Sequence, residues 1–425
     1  MLHDIMDRRN VEKALLQVER NKGACGVDGM QTDELRDYLN THYQRLREDV
    51  INGSYMPSAV KQVEIPKPDG GVRLLGIPTV VDRMIQQAIS QWLSQFYEPI
   101  FSASSYGFRP NKNAHQAVLQ AQSYLNEGRT FVVELDLEKF FDKVNHDKLM
   151  SLIMRKVSDK PTLTLLRKYL RSGIMEGGMV SQRTEGTPQG SPLSPLLSNI
   201  MLDELDCELT SRGHKFVRYA DDCSIYAGSS KSAQRVLDTT TKYIEQDLKL
   251  KVNRDKSKVS LPKGSTLLGF SFYDKAGKWH IRIATKAVKR IKEKCKRLTQ
   301  RNNGKNNQQK IESLKAVVEG WVTYFKLADA KSLMQQLDGL VRVRLRIGLW
   351  KEWKNCKTRV ANLFKLGASR KQAYKWGNAS KGYCRVAHSP ILQGILTNKY
   401  FTTQGYDGFI DTYNRKRQNT QTTLF

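Results

Sequence analysis

An adjacent pair of carboxylates stands between two short apolar runs in KFVRYADDCSIYAG, residues 215–228. Apolar runs joined by a tight turn predict an antiparallel β-hairpin with Asp221 and Asp222 at its tip. Neighbouring like charges raise each other's pKa, so the pair is unfavourable unless something offsets it. A divalent cation would do so, because Mg²⁺ prefers oxygen ligands. Taken alone, however, the pair is more simply explained as an ordinary turn.

A third carboxylate ends another apolar run. TFVVELDL, residues 130–137, is typical of a buried strand and carries Asp136 at its end. If this strand lies beside the hairpin, the three carboxylates can hold two metal ions. In a two-metal site one ion activates an attacking hydroxyl and the other stabilises the leaving phosphates.

A second hairpin is predicted by VEIPKPDGGVRLLGIP, residues 63–78, where Pro-Asp-Gly-Gly separates two apolar runs. Lys67 and Arg73 lie on either side of its tip. One basic residue on each arm could grip a polyphosphate, although two solvated charges on an edge strand are the simpler interpretation of this hairpin alone. Upstream, NKGACGVDGM (21–30) is a loop that either connects two helices or has a function of its own.

The positive charge of the chain is concentrated in its last third. Residues 281–425 contain 31 of the 70 Lys and Arg residues but only 8 of the 42 Asp and Glu residues. The first 280 residues contain the other 39 basic and 34 acidic residues and are therefore nearly balanced in charge. A net charge of +28 in a chain of ordinary hydrophobicity indicates a nucleic-acid partner. No apolar run reaches the roughly 18 residues that a membrane helix needs.

The spacing of the cysteines and the order of the predicted strands and helices limit the possible fold classes further. Six widely spaced cysteines predict neither a zinc module nor a disulfide framework, and together with a start that lacks an apolar signal core they fit a cytoplasmic setting. Strands and helices are mixed up to about residue 280, and helices are predicted from 285, from 311 and over 331–354. The pattern therefore predicts an α+β fold followed by a helical part.

The order of the motifs resembles that of reverse transcriptases. YADD follows the aspartate of LDLEKFFDKVNH, with TPQGSPLSPLLSNI between them and NRDKSK and LLGF after them. SYGFRPNKN, IPKPDGGVRLLGIPTVVDR and NKGACGVDG are similar to the bacterial group II intron reverse transcriptases, or maturases, and the likeness continues through GWVTYFKL. It implies a right-hand polymerase of the compact class that lacks an endonuclease domain.

The resemblance also implies a division of the chain. Residues 1–280 would form the fingers and palm, an antiparallel sheet plus helices with an N-terminal extension. Residues 281–355 would form an α-helical thumb, the maturase region, and residues 356–425 a small basic DNA-binding region.

The resemblance assigns roles to individual residues. Asp136, Asp221 and Asp222, with the carbonyl of Leu137, would bind two Mg²⁺ ions, for which Mn²⁺ could substitute. The nucleotide would contact Lys67, Arg73, Phe141, Gln189 and Lys256, with Phe141 excluding the ribose 2′-hydroxyl and its neighbour Phe140 packing in the core. The family pattern often has Gly where Ser191 stands. The residues expected to contact template or other RNA are Asn21, Lys22, Gly23, Ala24, Lys61 and Arg109.

The implied function is RNA-directed DNA polymerisation combined with binding of group II intron RNA in splicing and intron mobility. The implied partners are an RNA template with a DNA or RNA primer, dNTPs, the intron RNA and a DNA target. Two alternatives stay open: a splicing cofactor with little polymerase activity, and a domesticated or defence reverse transcriptase. In the basic half, aromatic residues that could stack on bases or sugars include Trp321, Tyr324, Trp350, Trp353, Tyr374, Trp376 and Tyr383.

Overall fold

A computed structural model describes residues 1–66, 70–176, 179–181, 184–188 and 190–422. The chain packs into two compact units, Met1–Ser265 and Thr266–Phe425. The predicted division at 280 and 355 into fingers and palm, thumb and DNA-binding region stays a prediction. Among the described residues no helix is long and apolar enough to cross a membrane.

The first unit mixes helices and short strands, as the sequence pattern predicts. Its described helices are α1 Leu2–Ile5, α2 Arg8–Asn21, α3 Leu35–Ile51, α4 Val80–Tyr97, α5 Ala114–Asn126, α6 Phe140–Lys143, α7 His146–Met154, α8 Lys160–Arg171, α9 Ser194–Ser211 and α10 Ser230–Gln246. Its described strands are β1 Val60–Pro66, β2 Val72–Ile77, β3 Phe131–Leu135, β4 Ile174–Glu176, β5 Met179–Ser181, β6 Lys215–Tyr219, β7 Asp222–Ala227 and β8 Lys258–Ser260.

Local capping explains where several of these helices begin. Asp7 accepts a hydrogen bond from the backbone of Arg9 at the start of α2, and Thr79 accepts one from Asp82 at the start of α4. Asn113 and Gln116 form a reciprocal capping box at the start of α5. Such side chains satisfy backbone N–H groups that the first helical turn leaves without partners.

The described strands of this unit form two sheets. An antiparallel sheet has the order β6-β7-β3-β8. A mixed sheet has the order β2-β1-β4-β5, in which β1 and β4 are parallel and the other pairs antiparallel. Because β7 is central, every residue of it after Asp222 is buried.

One apolar core runs from the N-terminal helices to the antiparallel sheet. Helix α9 is buried on most of its circumference, from Leu196 to Leu209, which explains why its sequence has little amphipathic character. The core thus holds α9 rigidly behind the sheet, next to the β6–β7 hairpin.

The second unit opens with a strand hairpin and continues as helices. Its described elements are β9 Phe270–Lys275, β10 Lys278–Ile283, α11 Thr285–Leu298, α12 Asn307–Phe325, α13 Lys331–Glu352, α14 Cys356–Lys365, α15 Arg370–Gly377, α16 Tyr383–Ala387, α17 Pro390–Ile395, α18 Asn398–Thr403 and α19 Gly408–Thr422. Buried Asp338 of α13 accepts backbone hydrogen bonds from Phe409 (2.7 Å) and Ile410 (2.9 Å) at the start of α19. These hydrogen bonds hold α19, the last helix, against α13.

Candidate active site

The acidic hairpin predicted at 215–228 is present as β6 and β7. Tyr219 pairs with Asp222, so the turn consists of Ala220 and Asp221. Asp222 therefore begins β7, one residue inside the strand rather than in the tip. Ala220 has φ of +58°, a left-handed conformation that is unfavourable for alanine. Such a turn persists only where its surroundings hold it.

A buried arginine holds this turn from behind. The guanidinium of Arg218 is fully buried and donates two hydrogen bonds to Asp206 of α9, at 2.8 and 2.6 Å. It also donates to the carbonyl of Ala220 at 2.9 Å. Burial alone would lower the pKa of Arg218, but the charge and hydrogen bonds of Asp206 raise it above its usual value. Arg218 therefore stays charged and ties the turn to α9.

The remaining donors of Arg218 connect the turn to the SYGFRP segment. One N–H reaches Asn199 at 3.0 Å and another reaches Ser105 at 2.8 Å. The side chain of Asn199 in turn donates to the carbonyl of Gly107 at 3.0 Å. Gly107 has no room for a side chain, because a Cβ there would overlap the nitrogen of Ala220. The segment thus packs its backbone directly on the acidic turn.

Asp136 follows β3 and is positioned through its backbone. Its N–H donates to the Ser257 hydroxyl at 3.0 Å, and its carbonyl accepts from the N–H of Asn253 at 2.8 Å. Because β3 pairs with β7, Asp136 reaches the same end of the antiparallel sheet as Asp222. The NRDKS loop thereby brings Lys256 to the site, where its Nζ lies 3.6 Å from a carboxylate oxygen of Asp136.

Burial and neighbouring carboxylates raise the pKa of both hairpin acids. Desolvation, followed by the charges of Asp221, Glu134 and Asp136, raises the pKa of Asp222 to about 7. Asp222 is partly accessible to water, but the protein atoms around its carboxylate make desolvation the largest cause of its raised pKa. Desolvation and the charge of Asp136 likewise raise the pKa of Asp221. Positive charge on Arg73 opposes this rise in the pKa of Asp221.

The donor set suits a hard divalent cation. Among the described residues, no three carboxylate, histidine or cysteine side chains already stand close enough to hold a metal ion. The charge of Asp136 nevertheless contributes to the raised pKa of Asp221 and of Asp222, and a cation with oxygen ligands relieves that repulsion. In charge and in ligand type, Asp136, Asp221 and Asp222 suit the expected Mg²⁺ ions, and the Leu137 carbonyl is one residue from Asp136 along the chain.

The structure describes only some of the other residues that were predicted to bind the nucleotide. Phe140 is buried, as predicted, whereas Phe141 is half-buried and its ring centroid lies 5.2 Å from that of Phe140. Lys67 and Gln189 lie outside the described residues. Gly190 approaches β2 so closely that a Cβ on it would lie 2.6 Å from the Gly76 carbonyl oxygen.

The N-terminal loop packs on the beginning of α4. Arg83, from that helix, donates to the carbonyl of Ala24 at 2.6 Å, and its guanidinium lies close to Gly23. Lys22 ends α2 in a left-handed conformation with φ of +45°, and Asn21 is exposed beside it. The loop therefore has a defined conformation with its basic residue facing solvent. Lys61 is exposed on β1.

Arg109 does not fit the predicted template role. Its side chain is only 6% exposed and is paired with Glu98 at 2.8 Å. It also donates to the carbonyls of Ser102 and Ser105, at 2.5 and 3.0 Å. A guanidinium used in this way has no surface left for RNA, so Arg109 is an internal support of the SYGFRP segment.

The sequence interpretation missed four residues that shape the site: Arg218, Asn199, Gly107 and Glu134. Two of them carried a recognisable signal. A charged residue within the apolar run FVRY indicates a buried, paired arginine at position 218. Glu134 lies two residues before Asp136, so the strand period places both on one face. Nothing in the sequence alone relates Asn199 to Gly107, because they are 92 residues apart.

Comparisons with known proteins identify two regions. Residues 65–272 match the family described as reverse transcriptase (RNA-dependent DNA polymerase), and residues 288–367 match the group II intron, maturase-specific domain. The chain is 34% identical over 279 residues to Protein YkfC of Escherichia coli (strain K12), covering 56% of this chain and 73% of that protein.

The alignment with a second relative covers less than half of that protein. The chain is 34% identical over 242 residues to the group II intron-encoded protein LtrA of Lactococcus lactis subsp. cremoris, covering 57% of this chain but 39% of LtrA. One solved structure, a partial Cas6-RT-Cas1–Cas2 complex, shares 24% identity with a TM-score of 0.37 over 58% of this chain and 42% of that one. A score this low supports no inference about the fold.

Proposed function

This chain belongs to the family of group II intron reverse transcriptases and maturases, and from that premise we propose that it copies RNA into cDNA by a two-Mg²⁺ nucleotidyl transfer. The observation that carries the proposal is that Asp136, Asp221 and Asp222 lie at one end of the antiparallel sheet, where Lys256 is 3.6 Å from Asp136 and the charge of Arg73 acts on Asp221.

The acids would hold the metal ions and the basic residues the nucleotide. Asp136, Asp221, Asp222 and the Leu137 carbonyl are the proposed metal ligands. When bound, the ions would supply Lewis-acid activation of the primer 3′-hydroxyl and charge neutralisation on the phosphates. Arg73 and Lys256 would then orient the triphosphate through charge-assisted hydrogen bonds, together with Lys67 and Gln189.

We propose a division into subdomains that is consistent with this placement. We assign the mixed sheet, which carries Arg73 on β2, to the fingers and the antiparallel sheet to the palm. The helices from 281 to 355 would be the thumb, and 356–425 the DNA-binding region. Phe141, half-buried and five residues after Asp136, would exclude a ribose 2′-hydroxyl, and the Asn21–Ala24 loop and Lys61 would contact the template.

The basic half would bind nucleic acid without reading its sequence. Its 31 Lys+Arg against 8 Asp+Glu supply the phosphate contacts that dominate such binding. The maturase-specific match at 288–367 supports group II intron RNA as one partner and a role in splicing and intron mobility, with a DNA target as another. Because the alignment covers 39% of LtrA, these wider activities are proposals for this chain.

Primer extension on a primed RNA template tests the proposal. With Mg²⁺ and dNTPs, the Asp221→Asn, Asp222→Asn double variant should show no extension above background, because two of the three proposed metal ligands are neutralised. Asp238→Asn is the matched control, since Asp238 is exposed and accepts a hydrogen bond from Gln234 on the surface of α10. Extension by the double variant would contradict the assignment.

The same double variant separates polymerase activity from RNA binding. Its affinity for single-stranded RNA should stay within about threefold of wild type and should fall as salt rises, because phosphate contacts release counterions. A wild-type chain that binds RNA but extends no primer would instead favour the splicing-cofactor alternative.

A further inference from the structure

The second unit contains a groove of about 520 Å³ between the end of α11, the middle of α13 and the start of α16. Thr299, Arg301 and Asn302 line it from the turn after α11, Arg344 from α13, and Tyr383 and Cys384 from α16. Its size is in the range of pockets that bind small organic ligands. None of its described lining residues is acidic.

The cations at this groove are held by neutral groups. Arg344 donates to the Thr299 hydroxyl at 2.5 Å and to the carbonyl of Lys296 at 2.8 Å. Lys351 donates to the carbonyl of Arg301 and to the side chain of Asn302, both at 3.0 Å. Within the described parts of the chain, no carboxylate lies within ion-pair distance of these cations. Their charge is therefore available to an anion.

A second groove in the same unit shows the opposite arrangement. It has about 560 Å³ and is lined by Glu312, Glu319 and Asp407 together with basic residues. Arg415, which lines it, pairs with Glu319 at 3.2 Å and Asp407 at 3.4 Å. The charge of Arg415 is thus balanced by carboxylates within this groove. Of these two grooves, the first has basic residues and no carboxylate among its described lining residues.

An aromatic wall distinguishes this groove from a simple phosphate site. The guanidinium carbon of Arg301 lies 5.2 Å from the centroid of the Tyr383 ring, and Tyr383 is half-buried while Arg301 is exposed. Stacked tyrosine and arginine planes are the surfaces on which unpaired bases stack. By contrast, Trp350 and Trp353 are buried.

We propose that this groove binds one unpaired nucleotide of a single-stranded nucleic acid, with the base against Tyr383 and Arg301 and a phosphate at Arg344. The proposal deepens the proposed function and rests on it, since it names a site through which the basic half would hold RNA. A duplex would not fit, because its bases are already stacked and paired.

The native cysteines provide the first test. Cys384 lines the groove and is exposed, and Cys356 is exposed on α14 outside it. The wild-type chain is treated with N-ethylmaleimide, without Mg²⁺ or dNTPs, in the presence of a 12-nucleotide single-stranded RNA, the same sequence as DNA, or a blunt duplex. We expect single strands to slow alkylation of Cys384 at least fivefold while Cys356 changes less than twofold.

The three probes distinguish the outcomes. Protection by RNA and DNA alike supports a nucleotide site of either source, and protection by RNA alone assigns it to RNA. Protection by the duplex equal to that by the single strands, or no selective protection of Cys384, overturns the proposal. Failure of wild-type primer extension would instead count against the proposed function, because the protection assay needs no catalysis.

Two substitutions add a direct measure of affinity. Arg301→Gln and Tyr383→Leu should each weaken single-strand binding about five- to twentyfold, in line with the loss of one stacked base. Arg415→Gln removes the same charge from the balanced groove and should change affinity less than twofold. If Arg301→Gln, folded as judged by its melting curve, binds no more weakly than Arg415→Gln, the groove is not a nucleic-acid site.

Discussion

Replacing Arg218 by Met tests whether the buried ion pair behind the acidic turn both stabilises the sheet and positions Asp221. The substitution removes two hydrogen bonds to Asp206 and leaves that carboxylate fully buried without its counter-charge. Breaking a buried pair by removing one partner typically costs about 3–5 kcal/mol. The variant should therefore open the β6–β7 region about two to four powers of ten more often, since ~1.4 kcal/mol is tenfold.

Hydrogen exchange measured by mass spectrometry suits this test, because the chain has two units and need not unfold in one transition. Peptides that cover β6, β7 and α9 should lose protection by that factor. Arg155→Met is the matched control. Arg155 pairs with Glu204 on the surface at 2.6 Å and is 58% exposed, so its loss should cost at most about 1 kcal/mol.

A double variant separates stability from positioning. Arg218→Met with Asp206→Leu removes both charges, and apolar replacement of a buried pair often restores stability. Exchange protection should largely recover, but primer extension should not, because the hydrogen bond from Arg218 to the Ala220 carbonyl is still missing. An opening free energy of Arg218→Met within about 1 kcal/mol of wild type would contradict the stabilising role of Arg218. Recovery of primer extension by the double variant would contradict its positioning role.

Three further predictions concern the same site. Gly107→Ala should reduce primer extension at least tenfold without global unfolding, because its Cβ would displace Ala220; Gly228→Ala, which meets nothing within 4 Å, is the control, and equal effects would refute the contact. Between pH 4 and 7 the folded Asp222, with its pKa raised to about 7, binds more proton than the unfolded chain, so Tm in EDTA should fall as pH rises through that window. Mg²⁺ should then raise Tm more at pH 8 than at pH 5.5, and a shift that is independent of pH, or kept in Asp221→Asn, Asp222→Asn, would contradict the metal assignment. Phe141→Ala should increase incorporation of ribonucleotides relative to dNTPs, and unchanged discrimination would exclude Phe141 as the steric gate.

Periodicity and motif order were enough to predict most elements of the first unit. Apolar runs of strand length around YADD and in TFVVELDL predicted β6, β7 and β3, and the structure confirms all three. These predictions succeeded because a buried strand requires a local apolar pattern that a reader of the sequence can see. The α+β class and the helical second part followed in the same way.

Long-range contacts explain what the sequence did not reveal. Arg109 was expected to meet RNA because it is a basic residue in a motif, but folding places Glu98 and two carbonyls around it. Strand β10 was not predicted, since its residues 278–283 mix aromatic and basic side chains and are held by pairing with β9. The groove beside Tyr383 likewise depends on residues from 299 to 384, which no local pattern relates.

The sequence by itself determined which acids and bases the protein has for its chemistry and which half of the chain carries the excess charge, because residue type and local period are properties of short segments. Only the tertiary structure decided which of those charges are available. It buries Arg218 and Arg109 as supports, leaves Lys256 beside Asp136, and keeps Arg344 without a carboxylate partner within the described residues. The physical reason is that desolvation and pairing depend on neighbours brought together from distant parts of the chain.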